Sequence, residues 1–192
     1  MSQAKQLKYL EDSPRKMHRP VEALRLKGKD IYYWEFQCNG LTVHVASSRI
    51  GAVRVRIGFT RREDFLSELK TVEPAAQFFE GSKRNEALIS TLKAYFKGGR
   101  PLINLPWDIH ASAFSHKVWK SVCTIPYGET RTYKDIAIMV GTPKGARAVG
   151  QALNRNCLLI LIPCHRVVAA HGLGGFGSGI EMKRYLLKLE QG

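Results

Sequence analysis

Three short runs rich in aromatic and β-branched residues, at 31–36, 41–46 and 51–59, predict three strands. Asn39-Gly40 separates the first two and reads as a hairpin turn, because both residues tolerate the positive φ that a tight two-residue connection demands. The period then changes. Leu88, Ile89, Leu92, Tyr95 and Phe96 recur three and four apart, which predicts a helix over 85–96, and Gly98-Gly99 closes it. Residues 100–111, punctuated by Pro101 and Pro106, predict an extended link.

Beyond the link, residues 113–122 predict a helix with Phe114, Val118, Trp119 and Val122 along one face. A turn at 125–130 precedes a short helix over 133–140 that Thr132 can cap. Gly141 to Gly145 break that helix, and another begins at Ala146 with helix-turn-helix spacing. A helix that reads base edges carries several long polar side chains, whereas Ala146, Ala148, Val149 and Gly150 surround a single Arg147. Such a slim surface suits close backbone approach in a narrow groove, and it also suits plain helix packing. Five apolar residues at 158–162 predict a short buried strand, stopped by Pro163, and residues 180–189 predict a closing helix.

The fold class is therefore α/β. A small N-terminal α/β domain spans 31–99, a linker 100–111, and a mostly helical C-terminal domain 112–192, which holds the helix-turn-helix. Residues 1–30, charged, aperiodic and interrupted by Pro14 and Pro20, predict a basic N-terminal arm.

Composition narrows the partner. In 192 residues the 44% apolar content suffices for real cores, and the formal charge is +14. That excess is spread over both halves and points to a polyanion, with nucleic acid preferred because no basic amphipathic helix suits a membrane. The chain has neither a long apolar run nor the apolar segment of a signal peptide, so a cytoplasmic protein without a membrane partner is expected. Cys38, Cys123, Cys157 and Cys164 form no framework and should be reduced thiols. His44, His110 and His116 lack ligand spacing to Cys38 or Cys123, so no metal is expected.

The candidate chemistry lies at Pro163-Cys164-His165-Arg166, which sets a thiol, an imidazole and a guanidinium side by side. A lone cysteine is as readily an inert buried side chain. A histidine that takes its proton makes it a nucleophile. Consecutive side chains on a strand face opposite ways, so the chain must turn here for the two to cooperate.

Three segments together, Pro163-Cys164-His165-Arg166-Val167-Val168, Thr132-Tyr133-Lys134-Asp135-Ile136-Ala137 and Ala146-Arg147-Ala148-Val149-Gly150, resemble the O6-alkylguanine-DNA alkyltransferase family, the methylated-DNA–protein-cysteine methyltransferases. The resemblance covers roughly residues 112–190. It implies direct-reversal DNA repair: suicidal, single-turnover transfer of an alkyl group from O6-alkylguanine in double-stranded DNA to Cys164, without a cofactor, by a monomer that could also assemble cooperatively on DNA. It further implies that His165 acts as base through a water, that Glu190 orients His165, and that Asn156 holds the active-site turn. Tyr133 would press on the 3′ phosphate and bond the extruded base, and Arg147 would fill the vacated stack, with Ala146, Ala148 and Gly150 allowing close approach in the minor groove.

By the same resemblance, residues 172–179 form a pocket lid with Phe176, Gly177 and Ser178 near the base, and Lys183 follows it. Phe176 stands where tyrosine is frequent, and no proline follows Asn156, so altered acceptance of bulky benzyl adducts is expected. Three other readings stay open: a non-repairing protein that binds and flags alkylated bases, a cysteine hydrolase built on Cys164, His165 and Glu190, and a transcriptional regulator, which the bare helix disfavours.

Overall fold

The computed structural model describes residues 29–58, 60–101 and 104–192. The N-terminal half is a four-stranded sheet of order β3-β2-β1-β4, made of β1 (Asp30–Cys38), β2 (Leu41–Ser47), β3 (Ala52–Gly58) and β4 (Gln77–Glu80). β1 and β2 are antiparallel around the predicted turn, with Asn39 at φ 50° and Gly40 at φ 73°. β4 lies parallel to β1 and is reached from β3 through α1 (Arg62–Val72).

Period-two alternation assigns the sheet faces. Phe36, Val43, Val45, Val55 and Ile57 join one large hydrophobic cluster. Across the sheet, Ile31 and Ala46 pack with Phe65 and Leu69 of α1, and Glu68 of α1 pairs with both Arg54 and Arg56. The sequence reading predicts nothing between residues 60 and 84, where α1 and β4 lie. α1 buries only Phe65 and Leu69, too thin a stripe for a clear helical period, and β4 is a four-residue edge strand.

A single 3-10 turn (Lys83–Asn85) leads into α2 (Glu86–Phe96), which buries Leu88, Leu92, Tyr95 and Phe96. The link is tied down along β3. Ala52 exchanges backbone hydrogen bonds with Pro106 and Asp108 at 2.8 Å each, and a β-carbon on Gly51 would meet the Pro106 carbonyl at 2.2 Å. Lys29 pairs with Glu73 and Asp108, and Asp30 opens β1, so these two residues belong to the folded unit and not to an arm. Residues 1–28 of the predicted arm lie outside the described residues.

The C-terminal half comprises α3 (Ala113–Val122), β5 (Arg131–Thr132), α4 (Tyr133–Met139), α5 (Ala146–Asn154), β6 (Val167–Val168) and α6 (Ile180–Gln191). Thr132 caps α4 in a reciprocal capping box with Asp135. Trp119 of α3 donates to the Ala152 carbonyl of α5 at 2.9 Å, which fixes the helix-turn-helix. The hydrophobic cluster on the inner sheet face continues through α2 into α3, α4, α5 and α6, so both halves share one core. Among the described residues, no helix is long and apolar enough to cross a membrane.

Residues 158–162 are not a strand. They form a buried turn in which the Ile162 N–H donates to the Leu158 carbonyl at 2.9 Å and Ile160 adopts φ 73°. An all-apolar run reports burial and not period, and here burial comes from packing beneath both halves. Its pairing with the sheet is limited to a bridge from Leu158 to Val55 of β3, with the Val55 N–H on the Cys157 carbonyl at 2.8 Å.

Candidate active site

Asn156 builds the turn that presents Cys164. Its Oδ1 accepts from the Leu158 N–H at 2.9 Å, and its Nδ2 donates to the Ile162 carbonyl at 2.9 Å and to the Cys164 sulfur at 3.0 Å. Past Pro163 the chain winds into one 3-10 turn, Cys164–Arg166. At about three residues per turn, successive side chains there diverge widely, which supplies the turn that the motif needed. Cys164 faces one way, and His165 and Arg166 share an acceptor elsewhere.

That acceptor is Glu190 of α6, fully buried. His165 Nε2 lies 2.7 Å from Glu190 Oε1, Arg166 forks onto both carboxylate oxygens at 2.9–3.2 Å, and the Gly128 N–H donates to Oε2 at 3.0 Å. Tyr95 of α2 donates its hydroxyl to Oε1 at 2.7 Å, and its oxygen is 3.3 Å from His165 Nε2. Burial alone would raise the Glu190 carboxyl, but the bonds from His165 and Arg166 outweigh it and hold it at about 2. An ionised carboxylate only accepts, so His165 carries its hydrogen on Nε2, leaving Nδ1 as the basic nitrogen. Nδ1 has no hydrogen-bond partner among the described residues. Burial also lowers His165, against the opposing pull of Glu190, so the ring is neutral at physiological pH.

Cys164 is 7% exposed. Burial pushes its thiol up to about 11, although the Asn156 hydrogen bond and the Lys183 charge both favour the thiolate. At rest the group is a protonated thiol, and a base must act before it can attack.

Cys164 opens into a cavity of about 410 Å³, whose walls include Tyr133, Gly150, Leu153, Phe176 and Gly177. Gly150 and Leu153 belong to α5, so the second helix of the helix-turn-helix is also a pocket wall. The glycine-rich loop closes on Tyr133: Gly174 sits at φ 70°, and a β-carbon there would lie 2.9 Å from the Tyr133 ring. Tyr133 in turn reaches the Gly175 carbonyl at 3.5 Å.

Asn156 bonds the Cys164 sulfur and His165 bonds Glu190, two separate buried pairs that meet at the adjacent residues Cys164 and His165, and Tyr133, Phe176 and Gly177 line the cavity beside Cys164. Lys183 does not line the cavity; it is fully buried, donates to the Val167 and Gly175 carbonyls at 2.6 and 3.2 Å, and so anchors the loop from beneath. Burial brings its ammonium down to about 8. Ser178 is not among the lining residues, and Gly177 is. Arg147 and Ala148 are exposed on α5, with Ala146 and Gly150 half-buried beside them.

Cys157, which stands where a proline would follow Asn156, does not line this cavity. Cys157 faces a separate one with Arg54 and Trp119. No group of three His, Cys, Asp or Glu side chains gathers as a metal site among the described residues. Two partners of Glu190 were not assigned a role from sequence. Arg166 is visible in the motif itself. Tyr95 is visible only as a tyrosine on a core-facing helix stripe, where a buried hydroxyl needs a partner.

A family model described as 6-O-methylguanine DNA methyltransferase, DNA binding domain, matches residues 113–192. The chain is 46% identical over 129 residues to a methylated-DNA–protein-cysteine methyltransferase of Methanosarcina barkeri, covering 67% of this chain and 82% of that one. A probable methylated-DNA–protein-cysteine methyltransferase of Acanthamoeba polyphaga mimivirus is 35% identical over 154 residues, 79% of this chain and 97% of its own. Among solved structures, the O6-methylguanine methyltransferase of Mycobacterium tuberculosis superposes with a TM-score of 0.71 at 32% identity, over 84% of this chain and 93% of that one. An OGT from the same organism, solved in complex with DNA, superposes with a TM-score of 0.71 at 33% identity, over 83% of this chain and 93% of that one.

Proposed function

The chain belongs to the methylated-DNA–protein-cysteine methyltransferase family, and on that premise we propose that it strips an alkyl group from guanine O6 in duplex DNA and keeps it on Cys164 in one irreversible step. The observation that carries this reading is the shared wall: the cavity holding the Cys164 thiol is bounded by α5, the helix expected to meet DNA. A pocket behind a DNA-reading helix suits a base that has left the stack.

The target oxygen is inaccessible inside a duplex, so the nucleotide is swung out, at a cost of a few kcal/mol. The small residues Ala146, Ala148 and Gly150 let α5 approach the minor groove closely, and the exposed Arg147 enters the gap left by the base. Tyr133, on the cavity wall, presses on the adjoining 3′ phosphate and bonds the extruded guanine. Gly177 and Phe176 of the loop cover the ring. The net charge of +14 supplies sequence-tolerant affinity for the backbone.

In the chemical step, His165 Nδ1 takes the Cys164 proton through a water. The thiolate then attacks the alkyl carbon, a carbon–sulfur bond forms, and the carbon–O6 bond breaks with its electron pair going to guanine. Guanine, left unmodified in its strand, takes up one proton from solvent, and the proton held by His165 returns to solvent, so the protons balance. Glu190 supports the imidazolium that forms, as the third member of a relay. A thioether has no leaving group comparable to the alkylated base, so each molecule acts once. The protein acts as a monomer, needs no metal or cofactor, and divides into an N-terminal half over 31–99 and a DNA-facing half over 112–192.

Intact-mass measurement tests this. Mixing the protein with a duplex containing one O6-methylguanine should add one methyl group, mapped to Cys164 and absent from Cys164→Ala. Lesion-selective binding with no adduct on the native protein would replace this reading with a non-repairing lesion binder.

A further inference from the structure

Glu190 and His165 belong to the C-terminal half, yet the hydroxyl closest to both comes from the other half of the chain. Tyr95 projects from α2 and is fully buried. Its hydrogen is committed to Glu190 Oε1 at 2.7 Å, the oxygen that also takes His165 Nε2 at 2.7 Å. With that hydrogen engaged, a lone pair of the phenol oxygen is left facing the Nε2 hydrogen at 3.3 Å. Nε2 is thus flanked by two acceptors, and the imidazole has no alternative to the tautomer whose free base is Nδ1.

We infer that Tyr95 is a positioning residue of the relay, contributed by the N-terminal half, which fixes the His165 tautomer and tempers the basicity of His165 by sharing the charge of Glu190. This role rests on the alkyl-transfer reading above. Every hydrogen bond donated to a carboxylate withdraws charge from it, and so weakens its support for a neighbouring imidazolium. The charged and titratable groups around the triangle are Glu190 and Lys183 from α6, Cys164 and Arg166 from the 3-10 turn, and Tyr127 from the segment before β5. Arg166 already neutralises Glu190, and Lys183 opposes a charged His165. Tyr95 tunes what remains, without bearing charge itself.

The distinction from a core aromatic is measurable. In Tyr95→Phe, ring packing persists while the 2.7 Å donor to Glu190 and the longer 3.3 Å acceptor contact to Nε2 are both lost; the shorter bond outweighs the longer, so Glu190 supports the imidazolium more strongly and His165 holds its proton to higher pH. The acid limb of the single-turnover methyl-transfer rate should move up by roughly 0.5–1 pH unit, with transfer below the limb about three- to tenfold slower and the two rates converging above it. Incorporating 3-fluorotyrosine at position 95 strengthens the donor and should move the limb the opposite way, and this variant also serves if Tyr95→Phe fails to fold. Tyr127→Phe removes a neighbouring phenol that, among the described residues, donates to the Leu189 carbonyl and not to Glu190, and should leave the limb in place. Nitrogen-15 titration of the His165 ring in native and variant proteins reads the same coupling without DNA, so it decides the matter even if the native protein transfers nothing. Coincident titrations and pH–rate profiles for the native, Tyr95→Phe and fluorotyrosine proteins would overturn the inference, as would an equal shift in the Tyr127→Phe variant.

Discussion

The Asn156 amide donates to the Cys164 sulfur at 3.0 Å from a position eight residues earlier, across the buried turn that it also closes. One side chain therefore sets both the shape of the turn and the electrostatics of the thiol. Asn156→Ala strands the Leu158 N–H and removes one of the two donors to the Ile162 carbonyl, which keeps the Cys164 N–H at 2.7 Å, and should cost about 1–3 kcal/mol of stability, read from the urea midpoint. It also removes the bond that favours the thiolate. Iodoacetamide alkylation of Cys164 should then need a higher pH than in the native protein, where the thiol stands at about 11.

Acid should unfold the protein through the relay. Glu190 is held at about 2 when folded and returns to its ordinary value near 4.5 when unfolded. Its contribution is complete above that ordinary value and is lost as pH falls towards 2. His165 is also lowered on folding, so the unfolded chain binds its proton first, and stability declines as pH drops below about 6.5. Denaturation midpoints should fall throughout that descent. Glu190→Gln should flatten the portion below pH 4.5 and cost about 3 kcal/mol at neutral pH, because it leaves the Arg166 charge buried and unpaired.

Arg147 is exposed on α5. Arg147→Ala should keep the native melting temperature. Single-turnover repair of a methylated duplex should slow, and the salt dependence of DNA binding should lose about one unit of slope if the guanidinium displaces a counterion. Unchanged repair kinetics would remove Arg147 from the extrusion step.

Gly172 and Gly174 separate backbone strain from collision. Both have positive φ, but a β-carbon at Gly172 meets open space, whereas one at Gly174 meets the Tyr133 ring at 2.9 Å. Gly172→Ala should cost about 1 kcal/mol and leave the transfer rate alone. Gly174→Ala carries the same strain and should, in addition, displace the ring or the loop and slow transfer.

Much of this arrangement is legible in the order of residues. The Asn39-Gly40 hairpin, the helices of the DNA-facing half and the Thr132 cap follow from local rules that tertiary packing does not override. Cys164, His165, Asn156 and Glu190 were expected to act together, and the fold gathers them as two hydrogen-bonded pairs, Asn156 with Cys164 and His165 with Glu190, at successive residues of one turn. Other features escape for physical reasons. The run at 158–162 is apolar because it is buried on all sides, and that condition is indifferent to whether the backbone extends or turns. Tyr95 hides among Leu88, Leu92 and Phe96 as one more core position, since its function depends on an acceptor ninety-five residues later in the chain. Lys183 looks like a pocket cation, yet the carbonyls that claim it belong to backbone that no periodicity describes.

The ribbon of β5 and β6 pairs Arg131 with Val167 and Thr132 with Val168. Tyr133 follows one strand immediately, and the 3-10 turn bearing Cys164 precedes the other. Main-chain hydrogen bonds thus set the spacing of phenol and thiol, and the helices between them behave as a cassette looped out from a closed clasp. Such a clasp tolerates drift in length. An insertion at the break between α4 and α5 would shift α5, and with it both the grip on the duplex and one wall of the pocket, while phenol and thiol kept their separation, so this fold can reshape what it admits without unseating its nucleophile.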